Sequence, residues 1–125
     1  CGALEIYPRV SQIKKEISAT EVLKFSVIDN GREVARARLV MIPNDLHPIP
    51  YGYVEDVFVD PGYRSKGLVT ELMQAIEEEI KKQGSHKLVD NSRFANTSVH
   101  AIYEHLGFVK WGYEFRKDFR KENDK

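Results

Sequence analysis

Residues 64–69 (Arg-Ser-Lys-Gly-Leu-Val) combine two basic side chains with a glycine. They lie where a predicted strand ends and a predicted helix begins. Unpaired N–H groups and the positive end of the helix dipole favour a bound phosphate at such a place. Gly67 would let the backbone approach a phosphate closely, and Arg64 and Lys66 would add charge. The alternative is an ordinary helix start preceded by a solvated basic turn, and a short glycine motif alone does not decide between the two.

Two adjacent acids, Glu55 and Asp56, lie in another predicted strand. Neighbouring strand residues face opposite sides, so one carboxylate can face a cleft while the other contacts a different layer. The alternative is a pair of solvated or salt-bridged acids. His47 and His100 are further candidate bases, because histidine titrates near neutral pH. No spacing of histidine, cysteine and carboxylate residues suggests a metal site.

The first half of the chain predicts an antiparallel hairpin. Apolar and polar side chains alternate over residues 23–29 and 33–41, as they do in strands. Asn30-Gly31 between them favours a tight turn with positive φ. Residues 10–18 fit either a helix or a strand, and we expect a strand that pairs with the hairpin.

The second half predicts alternating strands and helices. We expect a strand over residues 53–59, a helix over 67–83, a short strand over 87–91 and a helix over 97–105. Residues 108–119 should form one or two final strands. The strand-helix-strand crossover implies a parallel pair, whereas the hairpin implies antiparallel pairing. The predicted fold class is therefore α+β with a mixed, mostly antiparallel sheet.

Two motifs in this order resemble the GNAT superfamily of acyl-CoA N-acyltransferases. The family's coenzyme motif is Arg or Gln, two residues, Gly, one residue, then Gly or Ala, and this chain has Arg64, Gly67 and Val69 at those positions. A second family pattern lies downstream, and its residues here are Asn96, Tyr103, Gly107 and Phe108. The resemblance covers about residues 51–108 and implies the GNAT fold.

The resemblance implies acetyl-CoA as the acetyl donor and no metal. Backbone groups of one strand would pair with the pantetheine arm, and amides of the loop would hold the pyrophosphate. The residues implied to bind the cofactor are Val57, Phe58, Val59, Arg64, Ser65, Lys66, Gly67, Leu68, Val69 and Asn96.

The resemblance also implies the catalytic roles. Tyr103 would protonate or hydrogen-bond the leaving sulfur, a role that suits a phenol because it is neutral at pH 7; the alternative is a core aromatic. Glu55 would be the general base, directly or through a water. Asp56 would bind the acceptor or support local structure, and His47 could reach the cleft from its proline-rich loop.

Two features depart from the family pattern. Val69 stands where the family prefers Gly or Ala, and its extra methyl groups could crowd the pyrophosphate. Only about twenty residues precede the first predicted strand, so the family's early helices should be absent or reduced. The acceptor site could then be open or completed by a second subunit, which makes a homodimer an expectation.

Length and composition limit the number of domains, the kinds of binding partner and the cellular location that the sequence is compatible with. The 125 residues fit a single domain, with about residues 1–9 and 120–125 expected to be flexible. Lys plus Arg and Asp plus Glu both number 19, which argues against nucleic-acid or anionic-membrane binding. One cysteine and no long apolar run fit a cytoplasmic protein.

The sequence thus predicts an N-acetyltransferase that moves an acetyl group from acetyl-CoA to a primary amine of a small molecule or peptide. The alternative is a non-catalytic GNAT-like module that senses acyl-CoA. A nucleotide-binding protein of another kind is disfavoured, because the chain has neither a Walker lysine motif nor the acidic residue expected beyond a Rossmann loop.

Overall fold

The computed structural model describes residues 11–120. Apart from one turn of 3-10 helix at Pro61–Tyr63, the elements are the strands β1 (Val22–Asp29), β2 (Arg32–Ile42), β3 (Tyr51–Val59) and β4 (Leu88–Val89), and the helices α1 (Leu68–Gln83) and α2 (Thr97–His105). Flexibility is expected for residues 1–9 and 120–125, and all of these except Arg120, which is exposed, lie outside the described range.

The sheet is mixed, as the sequence predicted. Its strand order is β1-β2-β3-β4, with the first two pairs antiparallel and the β3–β4 pair parallel. The predicted turn between β1 and β2 is confirmed, since Asn30 and Gly31 have φ of 51° and 73°. The hairpin holds β2 in the centre of the sheet, next to β3.

The core lies between the sheet and α1. Alternate residues of β2 point inward, and Leu39 and Met41 are almost fully buried. Leu72, Ile76 and Ile80 of α1 recur at helical spacing and fill the other side of this core. Burying an apolar side chain of this size stabilises the fold by roughly 1.5–3 kcal/mol, so this packing fixes the start of α1 beside the end of β3.

Glycine determines both ends of α1. Gly67 precedes the helix with φ of 78°, and Gly84 follows it with φ of 76°. Glycine adopts such angles without the steric penalty that other residues incur. The predicted helix bounds are therefore confirmed to within one residue.

Strand β3 contains a bulge that the sequence analysis did not predict. The register with β2 shifts between Arg36 and Arg38, and Asp56 has φ of 55°. A bulge adds one residue to a strand and bends it. The strict alternation assumed for Glu55 and Asp56 is therefore wrong, and both side chains are exposed.

Strands β3 and β4 separate soon after they meet. They pair only at Gly52–Leu88 and Tyr53–Val89. Beyond Tyr53, no strand among residues 11–120 pairs with this edge of β3. The two parallel strands therefore diverge, and a cleft opens between their carboxyl ends.

Two strand predictions are wrong. Within the described part of residues 10–18 there is no strand, and Ile13 and Ile17 are 95% and 91% exposed. Residues 108–119 are also outside any strand, with Phe115 92% exposed. Alternating apolar residues form a strand only where a partner edge exists, and β4 is only two residues long. Neither helix in the described range is long and apolar enough to span a membrane.

Candidate active site

A cleft of about 570 Å³ lies between β3 and the chain that follows β4. The start of α1, the helix α2 and the segment after α2 complete its walls. The lining residues are Val54, Glu55, Asp56, Val57, Val69, Asp90, Asn91, Ser92, Arg93, Asn96, Val99, Tyr103, Glu114 and Arg116. The cleft thus brings together residues that are up to about sixty positions apart in the sequence.

Tyr103 lines this cleft from α2 and also belongs to the core. Its side chain is only 8% exposed, and its ring packs against Phe108 with the ring centroids 5.6 Å apart. Burial raises the pKa of the Tyr103 hydroxyl, and the neighbouring Asp90 carboxylate raises it further. The phenol therefore keeps its proton at any physiological pH and can act as a hydrogen-bond donor.

Asp90 follows β4 and lines the cleft beside Tyr103. Oδ1 accepts a hydrogen bond of 2.8 Å from the backbone N–H of Asn91. Oδ2 is buried and has no partner in strict hydrogen-bond geometry among residues 11–120, although the Tyr103 hydroxyl is close enough to affect the pKa of the carboxyl. Burial raises the pKa of this carboxyl to about 6, against the lowering effect of hydrogen bonding to Tyr103 and to the Asn91 N–H, and the negative charge of Glu55 adds a lesser rise. Asp90 was not predicted from the sequence. The only available signal was a carboxylate directly after the second parallel strand, where ligands bind in open sheets of this kind.

Glu55 lies where the sequence predicted it, on the cleft wall formed by β3. Asp56 also lines the cleft, but its carboxylate accepts hydrogen bonds of 2.9 and 3.0 Å from Arg36 and one of 3.3 Å from Arg38. The Arg36 guanidinium holds the pKa of Asp56 below its ordinary value. Of the two roles predicted for Asp56, the geometry favours local structure, because the ion pairs anchor the bulge.

The predicted pantetheine segment, Val57, Phe58 and Val59, follows the bulge on the unpaired part of β3. Val57 lines the cleft, and the Phe58 ring packs under the guanidinium of Arg36. The carbonyl oxygen of Val59 accepts a hydrogen bond from Nε of Arg64. This contact ties the end of the strand to the loop before α1.

The predicted phosphate loop leads directly into α1. Arg64, Ser65, Lys66 and Gly67 are exposed. Ser65 has φ of 61°, a second left-handed residue two positions before Gly67. A Cβ built on Gly67 would meet no atom within 4 Å, so the space beside this backbone is open. Leu68 and Val69 begin the helix, where no side chain caps the free N–H groups.

The other three predicted residues differ in their position relative to the cleft. Asn96 immediately precedes α2 and lines the cleft. His47 does not line the cleft. Its ring stacks on that of His86 with the centroids 3.8 Å apart, and the two residues precede β3 and β4 in the chain. Nε2 of His100 lies 2.9 Å from the carbonyl oxygen of Arg93 and is engaged there.

A polar group at the rim of the cleft was also missed by the sequence analysis. The side-chain amide of Asn91 donates hydrogen bonds to the Tyr53 hydroxyl and to the Glu114 carboxylate, the latter at 2.6 Å. It thereby connects β3 to the segment after α2. Among residues 11–120, no group of three or more histidine, cysteine, aspartate or glutamate side chains could hold a metal ion.

A mixed sheet with splayed parallel strands, next to the start of a long helix, defines the class of this protein: it has the GNAT acetyltransferase fold. The model of the Acetyltransferase (GNAT) family matches residues 4–108. The chain belongs to that family.

Individual relatives are consistent with this assignment. N-alpha-acetyltransferase 30 of Schizosaccharomyces pombe is 28% identical over 94 residues, which cover 74% of this chain and 61% of that protein. The ribosomal protein bS18-alanine N-acetyltransferase of Escherichia coli is 29% identical over 86 residues, 69% of this chain and 54% of that protein. The chain therefore spans less than two thirds of these curated relatives.

Solved structures agree with the fold. An acetyltransferase from Trypanosoma brucei is 31% identical, covers 78% of this chain and 69% of its own, and superposes with a TM-score of 0.69. The aminoglycoside N-acetyltransferase AAC(6')-Iy, described in a complex with CoA, is 19% identical with a TM-score of 0.69 over 82% of this chain and 79% of its own. At that identity the second match supports the fold alone.

Proposed function

We propose that this chain is an acetyl-CoA-dependent N-acetyltransferase that acetylates a primary amine of a small molecule or peptide in a single domain. The observation that carries the proposal is the cleft between β3 and β4. It places a buried phenol, an exposed carboxylate and an open strand edge around one space. The relatives support this proposal, since each of them is named as an acetyltransferase.

The residues present fit the acetyl donor. An extended pantetheine arm can hydrogen-bond to the unpaired edge of β3 at Val57, Phe58 and Val59, much as an added strand would. The pyrophosphate fits the start of α1, where the open backbone at Gly67 lies next to the basic side chains of Arg64 and Lys66. The proposal gives Ser65, Leu68, Val69 and Asn96 further contacts with the coenzyme, and of these Val69 and Asn96 line the cleft.

The two catalytic roles follow from position. Glu55 is exposed on the cleft wall and can take a proton from the incoming ammonium group, directly or through water. Tyr103 donates its proton or a hydrogen bond to the departing sulfur, because burial keeps its hydroxyl protonated. When bound, acetyl-CoA supplies the activated thioester carbonyl that the neutral amine attacks.

The alternative is a module that binds acyl-CoA without transferring the acyl group. Val69, which stands where the family prefers Gly or Ala, lines the cleft and favours this reading. Both functions require binding of the acyl-CoA, but only the acetyltransferase transfers the acyl group to an amine. Release of free CoA thiol with a panel of primary amines separates them.

The experiment has two measurements. Acetyl-CoA at about one hundred times its dissociation constant should stabilise the chain by about 2.7 kcal/mol, seen as a rise in melting temperature. Amine-dependent thiol release should then follow. Stabilisation without thiol release would favour the sensor, and no stabilisation at millimolar acetyl-CoA would contradict both functions.

Glu55→Gln tests the base. The variant should lose turnover near neutral pH and recover part of it at high pH, where the free amine no longer needs a base. Equal loss of turnover at every pH would instead assign Glu55 to binding the acceptor.

A further inference from the structure

An exposed group of aromatic side chains after α2 has no role in the proposed acetyl transfer. Residues 108–118 contain no helix, turn or bend, so this part of the chain is extended. Its odd-numbered side chains are exposed: Val109 by 71%, Trp111 by 92%, Tyr113 by 78% and Phe115 by 92%. The exposed ring of Phe94 contacts that of Tyr113, with the centroids 6.5 Å apart. These five residues are called the aromatic surface below.

The even-numbered side chains of the same segment contact the rest of the chain, because alternate residues of an extended chain point to opposite sides. Phe108 packs against the core, and Nζ of Lys110 lies 3.8 Å from a carboxylate oxygen of Glu104 in α2. Glu114 lines the cleft, where it accepts a 2.6 Å hydrogen bond from the side chain of Asn91. A surface strand ordinarily turns its apolar side inward. Here the apolar side faces outward, which indicates that a partner covers it.

The size of the aromatic surface matches a protein interface. An aromatic side chain buries roughly 150–250 Å² when it is covered, so the four exposed aromatic residues offer on the order of 500–900 Å². A monomer rarely exposes an apolar patch larger than roughly 300–600 Å². A standard interface covers roughly 800 Å² of each partner. The surface is therefore large enough to hold a second protein chain.

A second copy of this chain is the partner that the surface fits. None of its five residues is charged, so two copies of the surface can meet without like-charge repulsion. A two-fold symmetric contact requires such a self-complementary patch, and homodimer interfaces are more apolar than other interfaces. A strongly basic or acidic partner would find no opposite charge on this surface.

We propose that the chain forms a homodimer through the aromatic surface, with the two extended segments packed face to face about a two-fold axis. Each segment then lies between the rest of its own chain and the segment of the partner. The partner thereby supports the cleft wall to which Glu114 and Arg116 belong. This inference concerns association and does not rest on the proposed acetyl transfer.

Sedimentation equilibrium tests the association. Interfaces of this size bind with micromolar affinity or better, so at about 100 μM we expect a mass close to twice the 14.4 kDa of one chain. Phe115→Glu brings like charges together across the two-fold contact and should raise the dissociation constant of the dimer by about 10²-fold or more. Because Phe115 is exposed in the single chain, this variant should keep the wild-type far-UV circular dichroism spectrum.

The matched control is Leu46→Glu. Leu46 is also an exposed apolar residue, but it lies in the loop before β3 and outside the aromatic surface. The change adds the same charge as Phe115→Glu. It should leave the dissociation constant of the dimer unchanged.

Trp111 reports which surface the dimer buries, because it is the one tryptophan of the chain. Its side chain is exposed in the single chain. Iodide should therefore quench its fluorescence freely in monomeric Phe115→Glu. In the wild type, most of that quenching should be lost at concentrations at which the dimer forms.

Three outcomes would overturn the proposal. One is a wild type that remains a monomer at about 100 μM, where an interface of this size should associate; its co-sedimentation with vesicles of anionic phospholipid would assign the surface to a lipid instead. The second is a dimer in which iodide still reaches Trp111. The third is a dimer that Phe115→Glu leaves intact. None of these outcomes bears on thiol release, so the failure of this inference and that of the acetyltransferase proposal are distinguishable.

Discussion

Asp90 should make the protein less stable at neutral pH than it would be with a neutral side chain. Its carboxyl has an ordinary pKa of 3.8 in the unfolded chain and of about 6 in the folded one. Below about pH 3 the group is mostly protonated in both states and has little effect on stability. As the pH rises through 6 it becomes ionised in both states, and the buried charge then costs about 3 kcal/mol.

The substitution Asp90→Asn removes that cost. We expect the variant to be more stable than the wild type by up to about 3 kcal/mol at pH 7, and the difference to be mostly lost at pH 4 and absent near pH 3. Urea unfolding followed by far-UV circular dichroism measures it, with the midpoint at pH 7 rising by roughly 1–2 M. Trp111 is 92% exposed, so its fluorescence would be a poor probe.

The control is Asp45→Asn, whose effect on the free energy of unfolding should be small at every pH. Two results would refute the reasoning. One is a difference between the wild type and Asp90→Asn that does not change between pH 4 and pH 7. The other is a variant that is less stable than the wild type at pH 7, which would mean that the Asp90 charge stabilises the fold.

Three further predictions concern packing and binding. Gly52→Ala should destabilise the fold by about 1–3 kcal/mol in urea unfolding, since the added Cβ would lie 2.3 Å from Cδ1 of Ile80. Ile76→Ala should cost about 2–5 kcal/mol in the same assay, because Ile76 is 0% exposed. Val69→Ala should keep or improve affinity for acetyl-CoA in calorimetric titration, as it removes two methyl groups from the cleft wall; a marked loss would show that the loop motif is aligned wrongly.

The sequence predicted well the elements whose signals are local. The turn at Asn30-Gly31 depends on residues that tolerate positive φ, and the predicted end of α2 depends on the glycine that follows it. These signals do not need a distant partner. The central part of the fold could therefore be predicted without a structure.

Predictions that needed a distant partner were less successful. Residues 108–119 alternate like a strand, but no strand among residues 11–120 pairs with them. The bulge at Asp56 depends on its ion pairs with Arg36 and Arg38 across the sheet, so local alternation could not predict it.

The residues of the candidate site also divide into those that local motifs predict and those that depend on distant contacts. Tyr103 and Glu55 could be proposed from motifs, and both lie in one cleft. Asp90 could not be proposed, because its burial and its contact with Tyr103 exist only after β4 and α2 have packed. His47 was predicted from its nearness in sequence to β3, but it does not line the cleft.

The most direct test of the account is the rate of CoA thiol release by Tyr103→Phe, compared with the wild type and with Tyr113→Phe as the exposed control. If Tyr103 supplies the proton to the sulfur, its phenylalanine variant should turn over about 10²- to 10⁴-fold more slowly. Its affinity for acetyl-CoA should barely change, since the ring that packs on Phe108 remains. Near-normal turnover in Tyr103→Phe would contradict the account and reduce Tyr103 to a core aromatic residue.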